Sequence, residues 1–255
     1  MRLPLLCLLC CLPVSSPWAQ SLCSSPLRVG FDDWPPYHYY HQQGGKRQLR
    51  GFAVDYLNAI ATRLGCRLTY VERPWKRVLQ DLEQGRLDIA MEAYFYEDRA
   101  RYAWFSKAYN PGRTRLWVRS ADMDDTPDLR RWLAKGHQLG VTKEFYYGSG
   151  VTALLQDYRH QVSAVNDAQN YRKLQLRRID GFLGDSLATP WGLKREGLEK
   201  GISPHGMSVY EMPTYFMLSK QTLSADFVAR FDQALGDVSR SAEHGQIWRR
   251  YALAR

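Results

Sequence analysis

Short apolar runs alternate along this chain with stretches in which apolar residues recur every three to four positions, and the alternation occurs twice. LRVGF (27–31) reads as a short strand. Leu57, Ile60, Ala61 and Leu64 then follow at helical spacing and stop at Gly65, a helix-ending residue. RLTYV (67–71) reads as a second strand. Val78, Leu79 and Leu82 mark a helix that ends at Gly85, and LDIAM (87–91) reads as a third strand. The order β-α-β-α-β favours a parallel sheet with right-handed crossovers.

A second series begins near His137. QLGVT, a helix carrying Val151, Leu154, Leu155 and Tyr158, strand QVSAV, a helix carrying Tyr171 and Leu174, and strand IDGFLG repeat the same order, which predicts two similar lobes. RTRLWVRS (113–120) and PTYFMLSK (213–220) are extended in character, and each is expected to cross between the lobes. Ser224 is a good N-cap for a last helical region in which Phe227, Val228, Phe231 and Leu235 form one stripe, followed by HGQIWRRYAL. This region is expected to pack back on the first lobe.

The segment from Gly85 to Tyr109 carries the clearest chemical signal. After the strand at 87–91, AYFYEDR is too polar and too rich in tyrosine to continue it, so Arg99 falls at the carboxyl edge of a sheet. Ligands of open α/β sheets bind at that edge. A guanidinium there presents a planar fork that pairs bidentately with a carboxylate, where lysine supplies a point charge. The competing assignment is an internal ion pair with Glu97, Asp98 or another acid.

Met1 to Ala19 has one positive residue, Arg2, then PLLCLLCCLPV and small or turn-forming residues ending in Trp18 and Ala19. This matches a secretory signal peptide cleaved after Ala19. About a dozen apolar residues interrupted by Pro4 and Pro13 are too few to span a bilayer. The mature protein is therefore expected to be exported. The formal charge of +9 falls to +8 once Arg2 is lost, and the basic residues are spread without a long run, so they read as solvated surface and not as a nucleic-acid site. Leader removal leaves Cys23 and Cys66, each just before a predicted strand. If those strands are parallel neighbours, both cysteines lie at one edge and can form a disulfide in an oxidising compartment; two free thiols are the alternative.

Seven segments in this order resemble the bacterial extracellular solute-binding proteins of family 3, the periplasmic polar amino-acid receptors of ABC importers. They are PPY (35–37), GFAVDYLNAIATRLG (51–65), PW (74–75), GRLDIA (85–90), EDRARYAWFSKAY (97–109), RRIDGFLGD (177–185) and GQIWRRY (245–251), and together they span nearly the whole mature chain. The resemblance implies an α/β fold of two lobes, each a doubly wound sheet, joined by a two-strand hinge. Residues 20–115 and 214–255 would form lobe 1, and residues 116–213 lobe 2.

By the same resemblance, Arg99 matches the arginine that binds a ligand carboxylate, and Asp185 the acid that holds a ligand's α-ammonium group from the other lobe. Asp185 has a second reading as the cap of the helix SLATPWGL. Trp75 matches a ring that stacks on the ligand's apolar part, and Trp34 and Tyr37 lie in the loop after the first strand, where packing in the core is the competing role. Tyr94 and Tyr96 replace small hydroxyl residues of the family, and KEFYYG (143–148) replaces its Gly-Thr or Gly-Ser turn. Glu92 stands where a neutral residue is usual; it reads a cationic side chain, pairs with Arg99 or faces solvent.

The implied function is a monomeric, non-enzymatic receptor that closes on a small amino-acid-like solute and delivers it to an ABC permease in the inner membrane. Two alternatives stay open: a dehydratase-like enzyme on the same scaffold, with Glu92 as general acid or base, and a soluble sensor serving a membrane receptor. No cofactor is implied. His38 and His41 in HYYH lack an accompanying Cys or acid pair at metal-ligand spacing, so no metal is expected, and neither a G-x-S-x-G elbow nor a phosphate loop is present.

Overall fold

The computed structural model describes residues 22–143 and 145–251, so the expected signal peptide lies outside the described residues. The chain first forms β1 (Leu27–Phe31), the hairpin β2 (Tyr39–Gln43) and β3 (Lys46–Arg50), α1 (Phe52–Leu64), β4 (Leu68–Glu72), α2 (Trp75–Glu83), β5 (Ile89–Tyr94), α3 (Glu97–Ala100) and β6 (Ala103–Phe105). It continues through β7 (Arg113–Arg119), α4 (Leu129–Ala134), β8 (Leu139–Thr142), α5 (Ser149–Asp157), β9 (Val162–Val165), α6 (Asp167–Gln175), β10 (Gly181–Asp185), α7 (Ala188–Arg195), β11 (Ile202–Pro204) and β12 (Tyr210–Glu211). It closes with β13 (Thr214–Ser219), α8 (Ala225–Arg240) and α9 (Ala242–Tyr251).

Two sheets organise these elements. The first has the order β4-β1-β5-β13-β6, with β4, β1 and β5 parallel and β13 antiparallel to both of its neighbours. The second has the order β11-β7-β10-β8-β9, with β12 also on β7; here β10, β8 and β9 are parallel and β7 runs against β10. Both parallel cores were expected from the repeated β-α order.

The helices form where the apolar spacing places them. α1 buries Phe52, Leu57 and Ile60 completely and ends at Gly65, whose φ of 67° is the left-handed conformation that lets its N–H reach back to the last turn. α8 starts from Ser224, whose side chain accepts a bond from Phe227 N, and buries Phe227, Phe231 and Leu235. α1, α8 and α9 share one core with β1, β5 and β13, so the tail does pack on the first lobe.

Two local expectations need correction. The strand at 87–91 does not stop at Met91: β5 runs to Tyr94, because β13 pairs with it as far as Thr214↔Tyr94 and supplies backbone partners that local polarity cannot reveal. Nor are the two extended segments bridges between lobes. β7 belongs to the second sheet from Arg113 onward and β13 to the first from Thr214 onward, so the crossings are confined to the residues just before them. There Met212 N donates to Gly112 O (2.8 Å) and Thr214 N to Asn110 O (2.9 Å). Tyr39, Tyr40 and His41 of HYYH enter β2. The turn of that hairpin is Gly44-Gly45, both at positive φ, a pairing that favours tight hairpins and was visible in the sequence.

Cys23 and Cys66 are bonded, with Cα atoms 5.2 Å apart. β1 and β4 are parallel neighbours in the register Leu27↔Leu68, which brings the residues just before each strand to one edge. The bridge closes a separation of 43 residues, and loops of this size restrict the unfolded chain by about 2–4 kcal/mol. Replacing both cysteines with serine is expected to destabilise the protein by about that amount in denaturant unfolding. Thiol titration of the denatured, unreduced mature protein should find no free thiol; finding two would refute the bridge.

Candidate functional site

The carboxyl ends of β1 and β5 point toward the second sheet, and a cleft of about 400 Å³ opens between them. Its first-lobe wall comes from the loop after β1 (Asp32, Asp33, Trp34 and His38), from Trp75 at the start of α2, and from β5 and the residues after it (Met91, Glu92, Tyr94, Tyr96 and Arg99). Phe145 and Tyr146, from the loop after β8, line it from the second lobe.

Arg99 is positioned by α3, which directly follows β5. Its Nη1 donates to the carbonyl of Tyr94 (3.1 Å), and its guanidinium carbon lies 4.7 Å from the centre of the Tyr96 ring and 5.7 Å from that of Trp75. Such placement over ring faces stabilises a cation that has lost part of its water. Burial holds its pKa below the ordinary arginine value, opposed by the tyrosines beside it. Among the described residues no carboxylate lies within ion-pair distance of Arg99; Asp98 pairs with Arg101 instead. The internal ion pair considered from the sequence is therefore not formed.

Asp185, the last residue of β10, is engaged by protein groups. Its Oδ1 accepts bonds from Leu187 N (2.8 Å) and Ala188 N (2.6 Å) at the start of α7, and from the hydroxyl of Tyr37 (2.9 Å) across the two lobes. Two of these donors come from the turn that leads into α7. Burial raises its pKa, and these three donors oppose the rise. Tyr37 is itself buried in the first core, with its ring 4.5 Å from that of Trp34. Neither Tyr37 nor Asp185 lines the cleft, whereas Trp34, Trp75, Tyr94, Glu92 and Arg99 do.

Glu92 neither pairs with Arg99 nor faces solvent. It is buried within β5 at a φ of 51°, and its carboxyl accepts from Tyr109 Oη (2.5 Å), Asn110 Nδ2 (3.0 Å) and Thr214 Oγ1 (2.7 Å). These donors belong to the two segments where the chain crosses between lobes. Burial pushes its pKa up to about 7 against the pull of the three donors, and the charge of Asp185 adds to the rise.

Aromatic rings meet across the cleft. Phe145 contacts Trp34 (6.5 Å between centres) and Tyr94 (6.2 Å), and Tyr146 contacts Tyr96 (5.5 Å), all in edge-to-face arrangements. The sequence reading noticed KEFYYG as a departure from the family but did not count its rings as site residues. It also missed Asp32 and Asp33, although an acidic pair directly after the first strand was the available signal. His38 was missed for another reason: its buried ring stands 2.6 Å from the carbonyl of Asp32, a contact made by the fold of the loop. Among the described residues, no group of three or more His, Cys, Asp and Glu side chains gathers as a metal would require.

Comparison with known proteins bears on the family and the fold. The model of the bacterial extracellular solute-binding proteins, family 3, matches residues 27–254. An arginine-binding periplasmic protein of Mannheimia haemolytica is 25% identical over 222 residues, covering 84% of this chain and 86% of that one. A cyclohexadienyl dehydratase of Pseudomonas aeruginosa is 33% identical over 102 residues, 39% of this chain and 37% of the relative. Among solved structures, an ancestral arginine-binding protein bound to arginine superposes with a TM-score of 0.67 at 21% identity, covering 89% of this chain and 98% of that one, which speaks for the fold.

The raised pKa of Glu92 has a definite sign for stability. The carboxyl ionises near its ordinary value of 4.5 in the unfolded chain but near 7 in the fold. Stability is therefore whole below the unfolded value and is lost as pH rises between the two, by a few kcal/mol at most, at about 1.4 kcal/mol per pKa unit. Glu92→Gln, which stays neutral, should flatten the pH dependence of Tm between pH ~5 and ~8 relative to the parent. An unchanged slope in the variant would show that Glu92 does not carry the effect.

Proposed function

Because the chain belongs to the bacterial extracellular solute-binding proteins, family 3, we propose that it captures a small amino-acid-like solute between its lobes in the periplasm and delivers it to an ABC importer. The observation that carries this reading is Arg99, a partly buried cation held between two rings in the cleft with no carboxylate partner among the described residues. A ligand carboxylate completes that arrangement. Closure follows if ligand contacts from both lobes are made together, since binding shifts a two-state equilibrium only by its differential affinity for the two states. The protein is proposed to act as a monomer whose two lobes form one clamp, hinged at residues 110–113 and 212–214.

Glu92 gives a second reading some support. A carboxyl that ionises near neutrality in a cleft has the property a general acid or base needs. Three protein donors already occupy its oxygens, however, and this favours a structural task. Incubation with prephenate-like acids separates the readings: product formation would support an enzyme, and its absence alongside tight binding supports a receptor.

Calorimetry with a panel of amino acids is expected to find at least one ligand in the micromolar range or tighter. Arg99→Ala should weaken that ligand by about 100-fold or more, as expected when one partner of a desolvated charge pair is removed, while leaving the thermal stability of the protein alone nearly unchanged. Undiminished binding in the variant would overturn the role of Arg99.

A further inference from the structure

We propose that Tyr96 is a positioning residue: its ring holds the Arg99 guanidinium ready for a ligand carboxylate and, by meeting Tyr146 of the second lobe, ties that placement to closure of the cleft. This rests on the reading of the cleft as a solute site.

Tyr96 stands where its backbone position gives its side chain no task. It is the N-cap of α3, yet its side chain makes no capping bond; Ser, Thr, Asp and Asn are the residues that serve there. Its ring turns to Arg99 of the same short helix. The guanidinium carbon lies 4.7 Å from the centre of the Tyr96 ring, nearer than the 5.7 Å to the centre of Trp75. Arg99 Nη1 also donates to the carbonyl of Tyr94 at the end of β5 (3.1 Å). A ring attracts a cation through its quadrupole and needs no lone pair to do so, which leaves N–H donors for a carboxylate.

The same ring meets the second lobe. Tyr146 packs on it edge-to-face with centres 5.5 Å apart, and Tyr210 follows Tyr146 at 6.5 Å in the same manner. Tyr210 lies in β12, and its hydroxyl donates to Met212 Sδ (2.8 Å). Gly148 makes room for that ring, since a Cβ there would lie 2.2 Å from Tyr210 Cε2. A row of side chains thus runs from Arg99 through Tyr96, Tyr146 and Tyr210 to Met212 at the returning crossing. Tyr96 and Tyr146 come from different lobes, so their contact is made with the lobes together and lost when they part. A carboxylate that fixes Arg99 steadies Tyr96 and the contact beyond it, which is the differential stabilisation that closure needs. Tyr96 also lines the cleft, so direct contact with the ligand is the rival role.

Double-mutant cycles separate the two roles. Calorimetry on the parent with a panel of the common amino acids selects the tightest binder, which then serves as the probe for every variant. Tyr96→Leu is expected to weaken it by about tenfold, the scale of a desolvated cation–π contact, and Tyr96→Phe to restore it to within about threefold of the parent. In the Arg99→Ala background Tyr96→Leu should change affinity by less than about twofold, because no guanidinium remains to be placed. Where Arg99→Ala binds too weakly to measure, the cycle with Tyr146→Leu decides: that change should cost about fivefold in the parent and less than about twofold in Tyr96→Leu. Additive losses in the deciding cycle, full affinity in Tyr96→Leu, or no rescue by Tyr96→Phe would overturn the proposal and leave the solute-binding reading standing. If no amino acid of the panel binds, or Arg99→Ala binds as the parent does, the reading of the site fails and this inference with it. Neither tyrosine is buried in the core, so the thermal stability of the variants is expected to stay near that of the parent.

Discussion

The buried carboxyl of Glu92 sits where the two lobes become one molecule. Its oxygens gather Tyr109 and Asn110 from the outgoing crossing and Thr214 from the returning one. Tyr109 is in turn stacked on Phe216 of β13 at 4.0 Å, which fixes its hydroxyl against β5. An isolated buried charge is expensive, and three donors offset part of that cost; the remainder appears as a raised pKa. The crossing is thus held by a polar knot in an otherwise apolar seam.

Everything in the cleft is referred to that knot. β5 carries Glu92 to the crossing and ends at Tyr94, and α3 follows at once, so Arg99 is delivered a few residues beyond the seam. The second lobe enters through β7, whose pairing with β10 sets Asp185 opposite Thr114. Rings from both lobes then close the space between Arg99 and the seam. The result is a cleft with a cation at one side, first-lobe acids and ring faces from both lobes.

The departures from the family pattern fall in one place. Tyr94, Tyr96, Phe145 and Tyr146 stand where small or hydroxyl-bearing residues are expected, and they touch each other across the cleft. Large rings in place of small side chains add broad apolar contact area.

Local pattern alone determined a large part of this protein. Apolar spacing over Leu57–Leu64, the stop at Gly65 and the short runs around β1, β4 and β8 follow from period and capping, which are properties of neighbouring residues. Arg99 was legible for the same reason, since a charged residue just past a buried strand must lie at a sheet edge. The tertiary structure decided what depends on distant partners. β5 extends through Glu92 because β13, more than a hundred residues later, pairs with it. Asp185 is linked across the lobes because Tyr37, 148 residues away, supplies a donor. Phe145 and Tyr146 become cleft walls only when the second lobe is brought against the first. Sequence spacing carries no record of such meetings, because the energy that fixes them comes from burial and hydrogen bonds between segments that are strangers along the chain.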